Sequence, residues 1–163
     1  MKRIYLLSIV VLTCGYLHPA QAQPFSLRND FTGPGKCLDI VNDGANNQLN
    51  LSNCGKFTGQ FWQKSNAKGG YMILQTEFTG PGNCLDVVND GRNDQLTMAQ
   101  CGNFSGQFWR FDPAGKPGLF RLTNEFTGRG KCLDVVNDGV NNRVTLAKCG
   151  NFSGQMWRFG RVN

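Results

Sequence analysis

The stretch CLDVVNDG, Cys84 to Gly91, recurs letter for letter at Cys132 to Gly139 and once more as CLDIVNDG at Cys37 to Gly44. The offsets are 47 and then 48 residues, which makes the chain an internal three-fold repeat with units at 25–70, 71–118 and 119–163. In each unit (D/E)FTG precedes CLD. After VNDG come a cysteine and glycine, then F(T/S)GQ, then a tryptophan two residues beyond the glutamine. Residues 76–111 and 124–159 agree at 26 of 36 positions, which suggests recent duplication, so repetition alone does not prove use.

Each unit holds two cysteines 17 residues apart: Cys37 with Cys54, Cys84 with Cys101, and Cys132 with Cys149. Six cysteines allow fifteen pairings, and three-fold repetition favours the one with a disulfide inside each unit. Such a loop contributes on the order of 3 kcal/mol through the unfolded state. A zinc site is not expected, because no CxxC spacing occurs and the only histidine, His18, lies in the N-terminal leader.

Short apolar or alternating runs recur in every unit: FSLRN, YMILQTE and LFRLTNE; LDIVN and LDVVN; QLNLSN, QLTMAQ and RVTLAK; QFWQK, QFWRF and QMWRF. Gly, Asn and Asp punctuate them at roughly ten-residue spacing, and no long window keeps a 3.6-residue apolar period. Four strands in each of three units make twelve. The all-β architecture that closes twelve short strands in three equal lobes is a β-trefoil, which also removes exposed sheet edges.

The first 22 residues read as a secretory signal peptide: Lys2 and Arg3, an apolar run from Ile4 to Leu12, then Ala20-Gln21-Ala22 as a small-x-small cleavage pattern. The run is shorter than the roughly 20 residues that cross a bilayer, so no membrane span is expected. Cleavage near Ala22 leaves residues 23–163 as one domain, secreted or periplasmic. Of the 17 cations, Lys2 and Arg3 depart with the leader, which leaves a net charge of about +4 against 11 carboxylates. These charges are spread along the chain, without the basic runs of nucleic-acid binders.

CLD, the second cysteine, and Gln60-Phe61-Trp62, Gln107-Phe108-Trp109 and Gln155-Met156-Trp157 in register together resemble the ricin B-chain type of β-trefoil lectin, over essentially the whole mature chain. The resemblance implies a carbohydrate-binding module that is not an enzyme and needs no cofactor, with Trp62, Trp109 and Trp157 in the core. It puts sugar-binding carboxylates at Asp39, Asp86 and Asp134. Gln60, Gln107 and Gln155 would orient them by hydrogen bonds. An ionised carboxylate accepts from two adjacent hydroxyls, and such charge-assisted bonds are stronger than neutral ones.

The family pattern is broken in two places. Ricin-type galactose sites usually carry Asn before the glutamine, whereas Gly59, Gly106 and Gly154 stand here. The family's stacking Trp or Tyr two residues before the second cysteine is replaced by Ser52, Ala99 or Ala147. Phe57, Phe104 and Phe152, three residues before each glutamine, are candidate replacement platforms. A repeated phenylalanine in a trefoil is more often a packed loop anchor, and Phe31, Phe78 and Phe126 fall under the same expectation. In the loops, Asn46, Asn93 and Asn141 offer amides that donate and accept, although Asn-Asp-Gly also suits a plain turn. The oxygens of Asp86, Asn89, Asp90, Asn93 and Asp94 do not fit the spacing of a calcium loop, so no metal is expected.

Catalysis is disfavoured because the mature chain has no histidine and its carboxylates repeat symmetrically instead of forming one distinct acid and base. The leading expectation is a module with up to three equivalent weak glycan sites, its partners being glycans or glycoconjugates on a cell surface. The alternative is a protein-recognition module with degenerate sugar sites, acting as an inhibitor or a subunit of a secreted assembly. Its protein partner would contact loops that vary between units, such as those of Arg92, Arg129 or Val140.

Overall fold

The computed structural model describes residues 23–162; the proposed signal peptide lies outside the described residues. Repeat 1 contributes β1 (Phe25–Asn29), β2 (Lys36–Ile40), β3 (Leu49–Asn53) and β4 (Trp62–Asn66). Repeat 2 contributes β5 (Met72–Thr76), β6 (Asn83–Val87), β7 (Leu96–Gln100) and β8 (Trp109–Pro113). Repeat 3 contributes β9 (Phe120–Asn124), β10 (Gly128–Val135), β11 (Val144–Lys148) and β12 (Trp157–Arg161). Among the described residues helix is confined to single 3₁₀ turns, three of which (Thr58–Gln60, Ser105–Gln107, Ser153–Gln155) end on the repeated glutamines.

Six strands close a barrel. Within each repeat the first and last strands meet at one pair, Phe25 with Trp62, Met72 with Trp109, and Phe120 with Trp157. Between repeats the strands pair antiparallel over five residues, β4 with β5, β8 with β9, and β12 with β1, so the ring has no free edge. The remaining strands form three hairpins, β2–β3, β6–β7 and β10–β11, each with five paired residues. The hairpins clasp one another cyclically. Asn47 O accepts from Met98 N, Asp94 O from Leu146 N, and Asn142 O from Leu51 N. This is the β-trefoil, and the chain's three-fold repeat is its symmetry.

The core follows from strand alternation. In β2 Leu38 and Ile40 turn inward and Asp39 outward, a pattern repeated by Leu85, Val87 and Asp86 and by Leu133, Val135 and Asp134. Trp62, Trp109 and Trp157 are fully buried where the lobes meet. Each indole Nε1 donates to the carbonyl of the CLD leucine, Leu38, Leu85 or Leu133, at 2.8–2.9 Å. That bond joins the Gln-x-Trp segment to the CLD strand in every lobe, at the centre of an apolar cluster. All three disulfides, Cys37–Cys54, Cys84–Cys101 and Cys132–Cys149, lie within their own repeats.

The strand of repeat 3 that holds CLD is longer than its two counterparts, eight residues against five. Pro34 and Pro81 precede it in repeats 1 and 2, where repeat 3 has Arg129. Proline has no N–H to give a ladder, so only repeat 3 extends its strand back to Gly128.

Candidate functional site

Three surface clefts occupy equivalent positions around the trefoil. The first is lined by Asp39, Asn42, Lys56, Phe57, Gly59 and Phe78, with a volume of 290 Å³. The second, of 550 Å³, is lined by Asp86, Asn89, Thr97, Phe104, Gly106 and Phe126. The third, of 610 Å³, is lined by Asp134, Asn137, Thr145, Phe152, Gly154 and Phe31. Each cleft thus takes one wall from the next repeat in cyclic order: Phe78 from repeat 2, Phe126 from repeat 3, and Phe31 from repeat 1.

Each aspartate sits on the outward face of its strand and is half-buried. In Asp39 and Asp86 the Oδ1 accepts from the following backbone N–H, that of Ile40 at 2.8 Å and of Val87 at 2.7 Å. In all three aspartates a glutamine holds the other oxygen, Oδ2, through its Nε2: Gln60 to Asp39 at 2.8 Å, Gln107 to Asp86 at 2.9 Å, and Gln155 to Asp134 at 2.8 Å. The glutamines are 0–1% exposed, so they face the carboxylate and not the solvent. Each Oε1 accepts from the glycine after the second cysteine, Gly55, Gly102 or Gly150, at 2.8–2.9 Å. Each Nε2 also donates to a carbonyl at the end of β3, β7 or β11. The glutamine is therefore clamped at both ends and in turn fixes the carboxylate. Two oxygens offer about four acceptor positions, so Asp86 and Asp134 keep capacity to accept hydroxyl donors.

The glycine before the glutamine has a steric reason. A Cβ added at Gly59, Gly106 or Gly154 would stand 2.4, 2.2 or 2.4 Å from Oδ1 of Asp39, Asp86 or Asp134, closer than real Cβ contacts come. The carboxylate occupies the space that a side chain would need. The departure from the family pattern at this position is thus tied to how these aspartates are held.

Phe57, Phe104 and Phe152 are 59%, 62% and 62% exposed, which overturns the expectation that they are packed anchors. Each ring nevertheless rests against its own disulfide loop. A Cβ at Gly55, Gly102 or Gly150 would fall within 2.3–2.4 Å of the ring, so glycine makes room for it. The opposite phenylalanines, Phe31, Phe78 and Phe126, are half-buried against the core. They are tied across the repeat boundary by main-chain bonds. Asp30 N donates to Met156 O, Glu77 N to Phe61 O, and Glu125 N to Phe108 O. Asn29 and Asn124 add side-chain bonds to Gly154 O and Gly106 O at 2.8 Å and hold Phe31 N and Phe126 N on their Oδ1.

Asn46, Asn93 and Asn141 are not among the residues lining the clefts. They take positive φ of 53–55°, and each Oδ1 accepts from the glycine N–H of its Asn-Asp-Gly segment at 3.2 Å. The asparagines that do line the clefts are Asn42, Asn89 and Asn137, at the start of that segment. They belong to the repeated VNDG segment, but strand alternation does not mark them as facing a cleft, because β2, β6 and β10 end two residues earlier. Thr97 and Thr145 join them as direct cross-strand partners of Asp86 and Asp134. Within the turns, the backbone N–H of Asn93 holds the Asp90 carboxyl below its ordinary value of 3.8. Asp138 is lowered likewise by Asn141 N–H and then by the Arg143 guanidinium. These two carboxylates stabilise turns, and no group of three His, Cys, Asp or Glu converges as a metal site among the described residues.

The fold matches solved structures of several kinds. A designed three-fold symmetric protein, ThreeFoil, superposes with a TM-score of 0.72 at 23% identity, covering 85% of this chain and 99% of that one. A ricin B-like lectin from Macrolepiota procera, solved in complex with lactose, gives 0.69 at 16% identity, with 89% and 99% covered. An exo-β-1,3-galactanase from Clostridium thermocellum gives 0.74 at 22% identity; the match covers 89% of this chain but only 31% of the galactanase. A search of curated protein sequences gave no match. The model of the ricin-type beta-trefoil lectin domain matches residues 23–157, nearly the whole described chain, and the protein belongs to that family.

Proposed function

We propose that the protein is an exported carbohydrate-binding module that holds glycans in up to three clefts, one per repeat. The observation that carries this reading is the pairing, in every cleft, of a clamped carboxylate with a solvent-exposed phenylalanine. A pyranose presents hydroxyls on its edge and an apolar C–H face, and the two groups answer these two surfaces. Asp86 and Asp134 would accept hydroxyls, with Gln107 and Gln155 as positioning residues behind them. Phe57, Phe104 and Phe152 would carry the stacking that the missing family aromatics supply elsewhere, an aromatic contact contributing about 0.5–1.5 kcal/mol.

Each open cleft of this kind binds weakly, near −4 kcal/mol or about millimolar. Three clefts around one axis suit clustered glycans, where multivalency raises apparent affinity by about 10²–10⁴. Three disulfides support an oxidising destination. No helix among the described residues is long and apolar enough to cross a membrane.

The test is a glycan array on the oxidised protein, repeated with Asp39, Asp86 and Asp134 changed together to Ala. These side chains lie outside the core, so the fold should survive while array binding disappears. Binding that persists in the triple variant would refute the assignment of the clefts.

A further inference from the structure

A second cleft, of 240 Å³, adjoins the glycan cleft of repeat 1 through the shared residue Lys56. It lies between β1, β12 and the disulfide loop of Cys54, and three cations line it: Arg28, Lys56 and Arg161. No carboxylate side chain lines it, and none of the three cations belongs to an ion pair among the described residues. Asp30, just beyond β1, is engaged by Arg158 instead.

The Arg28 guanidinium is held in place before any ligand arrives. Its Nε donates to the buried hydroxyl of Ser26 at 3.1 Å and its Nη2 to Arg161 O at 3.3 Å. Gly160 gives it room, since a Cβ there would stand 2.5 Å from Arg28 Nε. Of five guanidinium N–H donors, two are used, leaving three for an acceptor.

The repeats make this concentration of charge conspicuous. The position of Arg28 is Gln75 in repeat 2 and Thr123 in repeat 3; that of Lys56 is Asn103 and Asn151; that of Arg161 is Asn66 and Pro113. In units this alike, all three positions of one cleft have become cationic together, and in one cleft only. The neighbouring carboxylate has changed too. Ser52 stands where the other repeats have Ala99 and Ala147, and its hydroxyl donates to Asp39 Oδ2 at 2.5 Å beside the Gln60 bond. Asp39 therefore has less capacity left for sugar hydroxyls than Asp86 or Asp134.

We infer that repeat 1 is specialised for acidic saccharides: a sulfate or carboxylate substituent sits among Arg28, Lys56 and Arg161 while the sugar ring lies against Phe57 in the adjoining cleft. The saccharide half of this inference rests on the proposed function; the anion half does not. Guanidinium and ammonium donors form strong charge-assisted bonds to such oxyanions, and the attraction weakens as salt screens it.

The test follows Arg28 Nε–H and the Gly55 and Lys56 amides of the oxidised protein by NMR during titration with inorganic sulfate, which needs no saccharide. Sulfated and unsulfated forms of the same glycans on an array provide the second arm. Saturable sulfate shifts confined to these groups and about a tenfold preference for sulfated glycans are expected. Both should be lost in Arg28→Gln/Lys56→Asn and weakened in Lys56→Asn alone. These changes install residues that other repeats already carry, and unchanged signals from Phe104 and Phe152 would report an intact fold. Saturable sulfate shifts with no glycan bound would uphold the anion cleft and remove the glycan reading. Glycan binding without sulfate shifts or sulfated preference would overturn the anion cleft and leave the glycan reading standing.

Discussion

Replacing Gly106 by Ala tests how the carboxylates are held. The new methyl would lie 2.2 Å from Asp86 Oδ1 and 3.3 Å from the Val87 carbonyl. Asp86 cannot swing aside freely, because Oδ1 is bonded to Val87 N at 2.7 Å and Oδ2 to Gln107 Nε2 at 2.9 Å. Relief of the clash breaks at least one bond to a charged acceptor, a loss of about 1.5–3 kcal/mol. Gly106 does not take a positive φ, so alanine recovers about 0.4–1 kcal/mol by restricting the unfolded chain. The net cost is about 1–2 kcal/mol, a fall in Tm of roughly 3–7 °C for a domain of this size. The assay is a double-mutant cycle by thermal unfolding, combining Gly106→Ala with Asp86→Ala. In the Asp86→Ala background the clash is absent, so Gly106→Ala should be neutral or slightly stabilising. Additivity of the two substitutions within about 0.5 kcal/mol would refute the argument.

Two further outcomes follow from other parts of the lobe. Trp109→Phe removes both packing volume at a fully buried site and the 2.8 Å bond to Leu85 O, and should cost about 2–4 kcal/mol in urea unfolding. Because the folded-state pKa values of Asp90 and Asp138 lie below 3.8, their contribution to stability is complete above that value and lost as pH falls through the folded values. Carboxyl NMR titration should show both midpoints depressed, and Arg143→Gln should raise that of Asp138 while leaving Asp90 unchanged.

Most of the architecture was legible in the repeat itself. A cysteine pair of constant spacing, an inward Leu and a buried Trp recur in every lobe because each lobe needs a staple, a strand and a core residue. These are local demands, and local sequence expresses them. The clefts were less legible because they are assembled across repeat boundaries. That Phe78, Phe126 and Phe31 each wall the cleft of the preceding unit depends on barrel closure, which brings β1 beside β12, and no spacing within a unit encodes it. The choice between platform and packed anchor at Phe57, Phe104 and Phe152 was not legible for a related reason. A repeated aromatic reads as core, and only the glycines beneath the rings reveal that each one rests on its loop with its outer side open. Asn46, Asn93 and Asn141 carried the right chemistry for a sugar site, but they stand off the cleft linings and each Oδ1 is bonded to the glycine N–H of its own turn.

The proposed place of a glycan, in up to three clefts, is between the clamped aspartate and the exposed phenylalanine. It is tested most directly by NMR on phenylalanine-labelled protein with a glycan selected from the array. Intermolecular contacts are expected from sugar-ring protons to Phe57, Phe104 or Phe152, accompanied by contacts to Phe78, Phe126 or Phe31 of the following repeat. A bound glycan whose contacts lie elsewhere on the trefoil, with these six rings unperturbed, would contradict it.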